Sequence, residues 1–262
     1  DDNGNIQRVT DRFENESFTL GVKIEHMREI VRDYNSIVKK VKKDLGSSDE
    51  ITKLAALITS IIMETGIRPG QEGNAAIKTV NGEKVEIETF GAITLGPQHI
   101  NFVRDNFVEL SFIGKKGGNN IATLSDTVII KVLDHYVKNA LTKGSKFVFV
   151  TDAGVTFTYT DLQRYFRLNF AGLNPTDFRK LKATETLLGA LRAEQASLYT
   201  RIKAFAGSAV DDLKARVVTE IVDTMNRAIA LAQQALSHDD AATTIRSSIN
   251  PELIFKFLAT SR

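Results

Sequence analysis

The chain has 262 residues, of which 42% are hydrophobic and 25% are charged, a composition typical of a globular protein with a substantial core. Cysteine is absent, which excludes disulfides and cysteine-ligated zinc, and no apolar run reaches the roughly 18 residues of a membrane span. The net charge of +2 and the pI near 8.7 do not by themselves indicate a nucleic-acid partner. The acidic, polar start is unlike a secretory signal, and we expect an intracellular protein.

The first part of the chain has helical periodicity. Residues 1–20 are predicted to be a loose lead-in, and apolar residues at helical spacing predict an amphipathic helix over 21–45. The segment GSSD at 46–49 ends this helix and caps a second, largely apolar helix over 50–65, which Gly66 stops. We therefore divide the chain into an N-terminal lead-in and helix (1–48) and a main domain (49–262).

Residues 75–125 are predicted to form two β-hairpins. In the first, Asn81-Gly82 suits a tight turn between AIKTV and KVEIETF. In the second, KKGGN joins VELSFIG to NIATL and places two lysines at the turn. This is the only region with convincing strand character.

The rest of the chain is predicted to be mainly helical. Helices are expected over 126–141, 159–171, about 174–205, 209–236 and 250–258, with a short extended piece at 146–150. Asn-Pro pairs at 174–175 and 250–251 open two of these helices. The predicted fold class is α+β, a mostly helical domain with a small antiparallel sheet.

Four short motifs carry basic side chains along the chain: Arg68 in TGIRPG, Lys115 in FIGKKG, Arg179 in TDFRKLKAT and His238 in ALSHDD. Most of these charges, taken singly, are explained by helix ends or solvated faces. Arg179 is less ordinary, because a cation in the first turn of a helix opposes the helix dipole, and this local conflict favours a function. The other histidines lack metal-ligand spacing and no glycine-rich nucleotide loop is present, so we expect neither a metal nor a cofactor.

Together, the motifs resemble the catalytic domain of type IB DNA topoisomerases, in particular the small poxvirus-type and bacterial forms, over roughly residues 50 to 255. METGIRPGQEGN is similar to the segment of the first catalytic arginine, and FGAITLGPQHINF to the family stretch G-x-x-TL-x-x-x-H-[VI]. FIGK resembles the hairpin of the catalytic lysine, and DFR with the following KAT resembles the segment of the second arginine. SSINP matches S-Y-[IL]-x-P, except that Ser248 stands at the tyrosine position.

The resemblance implies a tyrosine recombinase/type IB topoisomerase-like fold and relaxation of supercoiled duplex DNA without ATP or metal. A tyrosine would attack one strand, hold it through a 3′-phosphotyrosyl bond, and later release it. By this analogy Arg68 and Arg179 hold the nonbridging oxygens and His238 adds a hydrogen bond. Lys115 donates a proton to the leaving 5′-oxygen, with Lys116 as the alternative donor.

The same resemblance predicts a monomer that binds duplex DNA and needs neither a nucleotide nor a membrane. Further DNA contacts are expected from His99, Lys116, Thr176, Lys180 and Lys182. The chain departs from the family pattern at Thr176, where many members have lysine, and in the spacing from His238 to Ser248, which is one residue longer than usual. The first hairpin is an additional element, and a separate N-terminal β-domain is not evident.

Ser248 changes the expected activity. Its hydroxyl lies closer to the backbone than a phenol oxygen and is harder to deprotonate than a phenol, whose pKa is about 10. We therefore predict a chain that binds duplex DNA but cleaves it very slowly or not at all. The serine is explained either by a deliberate substitution that traps a noncovalent complex, which we favour, or by a natural relative that does not cleave.

Three other interpretations are compatible with part of the sequence. A tyrosine recombinase uses the same strand chemistry, but its H-x-x-R motif would place histidine where Thr176 stands. A noncatalytic DNA-binding module is compatible with Ser248. An unrelated helical interaction protein would require several coincidental motif matches.

Overall fold

The structure is a computed structural model that describes residues 30–80, 82–170, 172–205 and 210–236. The described helices are α1 (30–44), α2 (Glu50–Thr65), α3 (Thr127–Lys143), α4 (Tyr159–Asn169), α5 (Pro175–Lys203) and α6 (Val210–Leu236). The described strands are β1 (Ala75–Val80), β2 (Glu83–Glu88), β3 (Ile100–Arg104), β4 (Phe107–Ile113) and β5 (Asn119–Leu124). The mostly helical α+β class predicted from the sequence is confirmed.

The five described strands form two antiparallel sheets. The sequence predicted four of these strands, as two hairpins. Strands β1 and β2 pair as a separate hairpin, and the second sheet has the order β3-β4-β5. The β4–β5 hairpin was predicted, but β3 was missed; it pairs with β4 from Ile100–Leu110 to Arg104–Phe107 across a register shift. The segment 146–150 makes only an isolated bridge, between Val150 and Thr156. The predicted helix at 250–258 and residues 21–29 lie outside the described residues.

Helix α2 lies at the centre of the fold because it is apolar on nearly every side. All residues from Leu54 to Ile62 are buried, and the helix contacts α3, α4, α5 and β5. Its two buried hydroxyls, on Thr59 and Ser60, donate to carbonyls one turn earlier and are thereby satisfied. Asp49 caps its start by accepting a hydrogen bond from the Thr52 amide, at 3.0 Å.

Helix α1 packs into the same core as α2. Its apolar residues Ile37 and Val41 belong to the hydrophobic cluster that contains Leu54. A buried hydrogen bond of 2.8 Å, donated by the Tyr165 hydroxyl to Asp44, also links the end of α1 to α4. The division of the chain at 48/49 stays a prediction, and α1 shares its core with the segment that follows.

Helices α5 and α6 form a long antiparallel pair that has its own small core. Leu187 and Leu191 of α5 pack against Ala228, Ile229 and Ala232 of α6, in a cluster separate from the main one. Farther along the pair, ion pairs replace apolar contacts: Arg201 contacts Glu194 and Glu220, and Arg227 contacts Glu194. None of the helices in the described ranges is long and apolar enough to span a membrane.

The loop after α2 is pressed against the segment before β3 at two glycines. A Cβ added to Gly91 would lie 2.6 Å from Cα and N of Gly70, closer than real Cβ atoms approach backbone. Two hydrogen bonds of 2.7 Å hold this contact, from Ala92 N to Arg68 O and from Ile93 N to Pro69 O. The glycines of RPG and FGAIT are therefore required by the close approach of two backbones.

Replacing Gly91 by alanine is expected to destabilise the fold by about 1–3 kcal/mol, because the added Cβ meets backbone that cannot move aside easily. The φ of Gly91 is −156°, an extended conformation that alanine also adopts. The loss of stability would therefore come from steric overlap and not from backbone strain. Gly189→Ala on α5, where a Cβ meets nothing within 4 Å, is the matched control and should stabilise by up to about 1 kcal/mol. Urea denaturation measures both variants; equal effects would contradict the packing account.

Candidate functional site

Three basic side chains from remote parts of the chain line one pocket. The pocket has a volume of about 390 Å³ and lies between the loop after α2, the β4–β5 turn and the starts of α4 and α5. Its cations are Arg68, Lys115 and Arg179, and none of the described residues that line it is acidic. The arrangement is therefore a concentration of positive charge suited to an anion.

Arg68 reaches the pocket because α2 ends two residues earlier. Gly66 ends the helix with a left-handed φ of 74°, and its amide bonds to Ile62 O at 2.8 Å. The chain then enters the glycine-packed loop, in which the carbonyl of Arg68 is held by Ala92 N. Arg68 is half-buried at the pocket wall.

Arg179 is buried, with 4% of its surface exposed. Its Nε donates a hydrogen bond of 2.6 Å to the carbonyl of Gly66, at the negative end of the α2 dipole. Burial, and secondarily the charge of Arg68, lower the pKa of Arg179 to about 9. At neutral pH the group is still protonated, so two cations share the pocket and an anion would relieve their repulsion.

Lys115 lies in the turn that joins β4 to β5, here called the lysine turn (114–118). Two backbone hydrogen bonds close it, from Gly114 N to Gly118 O at 2.8 Å and from Gly117 N to Gly114 O at 3.0 Å. Lys116 has a φ of 64°, the only positive φ among the described non-glycine residues. Lys115 lines the pocket and Lys116 does not, although both are exposed.

The structure brings some of the predicted DNA-binding residues to the pocket and not others. Thr176, at the start of α5, lines it. Lys180 instead pairs with the buried Asp177 at 2.7 Å, and Lys182 interacts electrostatically with Glu185; neither lysine lines the pocket. The roles assigned to all these residues stay predictions.

His238 and Ser248 lie outside the described residues. The hydrogen bond assigned to His238 and the nucleophile position assigned to Ser248 therefore stay predictions.

His99 lies behind the pocket wall. Its ring packs on the pocket residue Phe90, with centroids 4.2 Å apart, and its Nδ1 accepts a hydrogen bond of 2.9 Å from Gly96 N. Burial lowers the pKa of His99, against a smaller opposing effect of Glu88. The residue expected to contact DNA thus holds the loop that carries the GAITL stretch.

Several lining residues were not predicted as part of the site, among them Gln71, Asn74, Phe90 and Tyr159. Gln71 and Asn74 follow Arg68 in the same loop, so their proximity in sequence was an available signal. Tyr159 is the first residue of α4, which Thr158 and Asp161 cap, and its half-buried ring packs on the core. Only tertiary packing places it beside the cations.

No group of three or more histidine, cysteine or acidic residues in the described part of the chain has an arrangement that could hold a metal.

Acidification from about pH 7.5 to about 5.5 is expected to destabilise the fold through His99. The pKa of His99 in the folded state lies below its ordinary value of about 6.5. As the pH falls, the unfolded chain therefore binds a proton at His99 before the folded chain does. The stability that is present above the ordinary pKa is lost over this range. Protonation at Nδ1 also removes the acceptor of Gly96 N. In urea denaturation over this pH range, His99→Asn should lose less stability than the parent. Equal pH dependence in the two proteins would contradict the assignment.

A comparison with family models identifies the family of the chain. A sequence model described as eukaryotic DNA topoisomerase I, catalytic core, matches residues 21–251. A comparison with curated proteins finds no match.

Similar solved structures include the XerH site-specific recombinase bound to palindromic difH substrate in a post-cleavage complex, with 15% identity, a TM-score of 0.45, and coverage of 92% of this chain and 50% of that one. The XerH pre-cleavage complex with difH has 15% identity, a TM-score of 0.44, and coverage of 88% and 50%. XerA recombinase has 17% identity, a TM-score of 0.40, and coverage of 82% and 64%. The chain thus spans about half the length of the XerH chains. Because the family model extends over most of the sequence, the chain belongs to the family of the eukaryotic DNA topoisomerase I catalytic core.

Proposed function

We propose that this pocket binds one backbone phosphodiester of duplex DNA and that the domain is built for type IB topoisomerase chemistry. One observation carries the proposal: Arg68, Lys115 and Arg179, from three remote segments, line one pocket with no acidic side chain among its described lining. Such a concentration of cations along the described lining favours the binding of an anion.

A phosphodiester suits this pocket for reasons of charge and geometry. Guanidinium groups donate in a planar fork that matches phosphate oxygens, and both Arg68 and Arg179 line the pocket. Arg179 is positioned before any ligand binds, because its Nε is fixed on Gly66. A cation held in this way needs no reorganisation when negative charge develops on a phosphate.

Cleavage in this pocket requires a tyrosine in place of Ser248. Its phenol loses its proton to solvent, the phenolate oxygen attacks the phosphorus, the bond from phosphorus to the 5′-oxygen breaks, and Lys115 gives a proton to that oxygen. Arg68 and Arg179 hold the two nonbridging oxygens, and His238 donates a further hydrogen bond. The reverse attack by the 5′-hydroxyl reseals the strand, so the bond energy is kept and ATP is not required. Lys115 is preferred over Lys116 as the acid because only Lys115 lines the pocket.

Ser248 makes the present chain a DNA-binding form of this domain that cleaves very slowly or not at all. The serine favours, as a second candidate function, a module that binds DNA without breaking it. The narrower assignment to the poxvirus-type and bacterial class is supported by the motifs alone. A monomer that works inside the cell, with duplex DNA as partner and no nucleotide, belongs to the same proposal.

Arg68→Ala is expected to weaken binding to a short DNA duplex by about 10-fold, because it removes a charge-assisted hydrogen bond to phosphate. It should also reduce the slope of log affinity against log salt by about 1. Lys131→Ala removes an exposed lysine outside the pocket lining and is the matched control. Fluorescence anisotropy over a range of salt concentrations measures both, and equal losses would place the DNA elsewhere on the surface.

Ser248→Tyr is expected to produce relaxation of supercoiled plasmid in the presence of a chelator, whereas Ser248→Ala should not.

In the Ser248→Tyr protein, Lys115→Ala should slow cleavage by about 10²- to 10⁴-fold, because the leaving oxygen loses its proton donor. Replacing that oxygen by sulfur should restore the rate, since a thiol has a pKa of about 8.5 and leaves as the anion. Gel assays of plasmid topology and of covalent adducts follow these steps. Absence of relaxation by Ser248→Tyr would refute the topoisomerase proposal.

A further inference from the structure

The β1–β2 hairpin, which the family resemblance left unexplained, packs against the lysine turn. A Cβ added to Gly117 would lie 3.8 Å from Cβ of Ala76 and 3.8 Å from Cδ of Lys78, an ordinary van der Waals contact. Both Ala76 and Gly117 are buried. The turn therefore lies beside the side chains of β1, with space between them for about one methyl group.

Only one face of the hairpin makes this contact. Ala76 and Lys78 share a face because side chains alternate along a strand, and their cross-strand partners are Ile87 and Val85. The other face carries Ile77, of which 72% is exposed, opposite Glu86. The hairpin is thus oriented toward the turn and presents its other side to solvent.

The base of the hairpin is attached to the pocket and to β4. Thr89 donates to the carbonyl of Asn74 through its amide at 2.9 Å and its hydroxyl at 3.1 Å, which closes the base. The next residue, Phe90, donates its amide to Ile113 O at 2.8 Å, just before the lysine turn. Asn74, Thr89 and Phe90 all line the pocket. The hairpin therefore extends from the pocket wall onto the turn.

The turn itself needs support, because two consecutive residues have left-handed backbone. Lys116 has a φ of 64° and Gly117 a φ of 77°. For a non-glycine residue such a conformation costs on the order of 1 kcal/mol and persists where surrounding structure holds it. A two-stranded hairpin is likewise only marginally stable alone in water, so hairpin and turn stabilise each other.

We propose that the β1–β2 hairpin is a positioning element that holds the lysine turn with Lys115 directed to the pocket before DNA binds. This inference rests on the proposed function and deepens it, because it assigns the placement of the proton donor to a specific contact. Ala76, at the centre of that contact, acts through the turn and not on DNA.

The test uses the Ser248→Tyr protein with Ala76→Gln, which crowds the contact without adding charge. Cleavage of an ordinary duplex should slow by about 10- to 100-fold, since a displacement of about 1 Å is enough to cost a donor that much. Duplex binding should change by less than about 2-fold, and a substrate with sulfur at the leaving 5′-position should be cleaved at the parent rate. The control Ile77→Gln, on the opposite face of the same strand, should behave as the parent.

A second variant replaces residues 78–85 by Asn-Gly, which rejoins the paired residues Ile77 and Glu86 through a two-residue turn and removes Lys78 from the contact. It should show the same selective slowing with the oxygen substrate. Normal cleavage by both variants, or equal slowing with oxygen and sulfur, would overturn the inference. Lys115→Ala distinguishes a failure of the proposed proton donor from a failure of the proposed positioning role. If the sulfur substrate does not restore the cleavage rate of Lys115→Ala, the proton-donor role of Lys115 is wrong. If sulfur restores that rate but Ala76→Gln cleaves the ordinary duplex at the parent rate, only the positioning role of the hairpin is wrong.

Discussion

The hydrogen bond from Arg179 Nε to the carbonyl of Gly66 is the contact on which the pocket depends. It joins the end of the central helix α2 to the first turn of α5. It also answers an apparent conflict, because a cation near the start of α5 is unfavourable by itself but here meets the negative end of α2. Gly66 thus has two tasks: its backbone ends α2 so that the chain turns toward Arg68, and its oxygen fixes Arg179. The separation of the two arginines is consequently set by one helix terminus.

The glycines of the motifs are explained by packing, independently of any chemistry. Gly70 and Gly91 bring two backbones closer than any side chain would permit, and this fixes the loop of Arg68. Gly117 has a left-handed φ of 77°, and its neighbour across the contact is Ala76. The motifs of Arg68 and Lys115 therefore combine a basic side chain with glycines that the local backbone requires. The resemblance is informative because the basic residue and these glycines occur together.

Much of the fold could be predicted from the sequence, since local signals mark its elements. Asp49 and Gly66 bound α2, and Asn174 with Pro175 opens α5. Strand β3 was missed because Ile100–Arg104 follows a proline turn and is exposed along most of its length, so its alternation is weak. The site was harder to predict. The three cations come together only through tertiary packing, and no local signal distinguishes Lys115, which lines the pocket, from Lys116. Phe90 and Tyr159 likewise carry no local sign of lining a charged pocket.

The separate small core of α5 and α6 has a consequence for how the molecule opens. The start of α5 is packed on α2, beside Arg179, while its later turns pack on α6 through Leu187 and Leu191 and then through the partly buried ion pair of Arg201 with Glu220. Two such regions need not unfold together. We therefore expect the distal part of the pair to exchange its amide protons faster than the turns beside Arg179. Local opening at that end would then leave the geometry of the arginine pocket undisturbed.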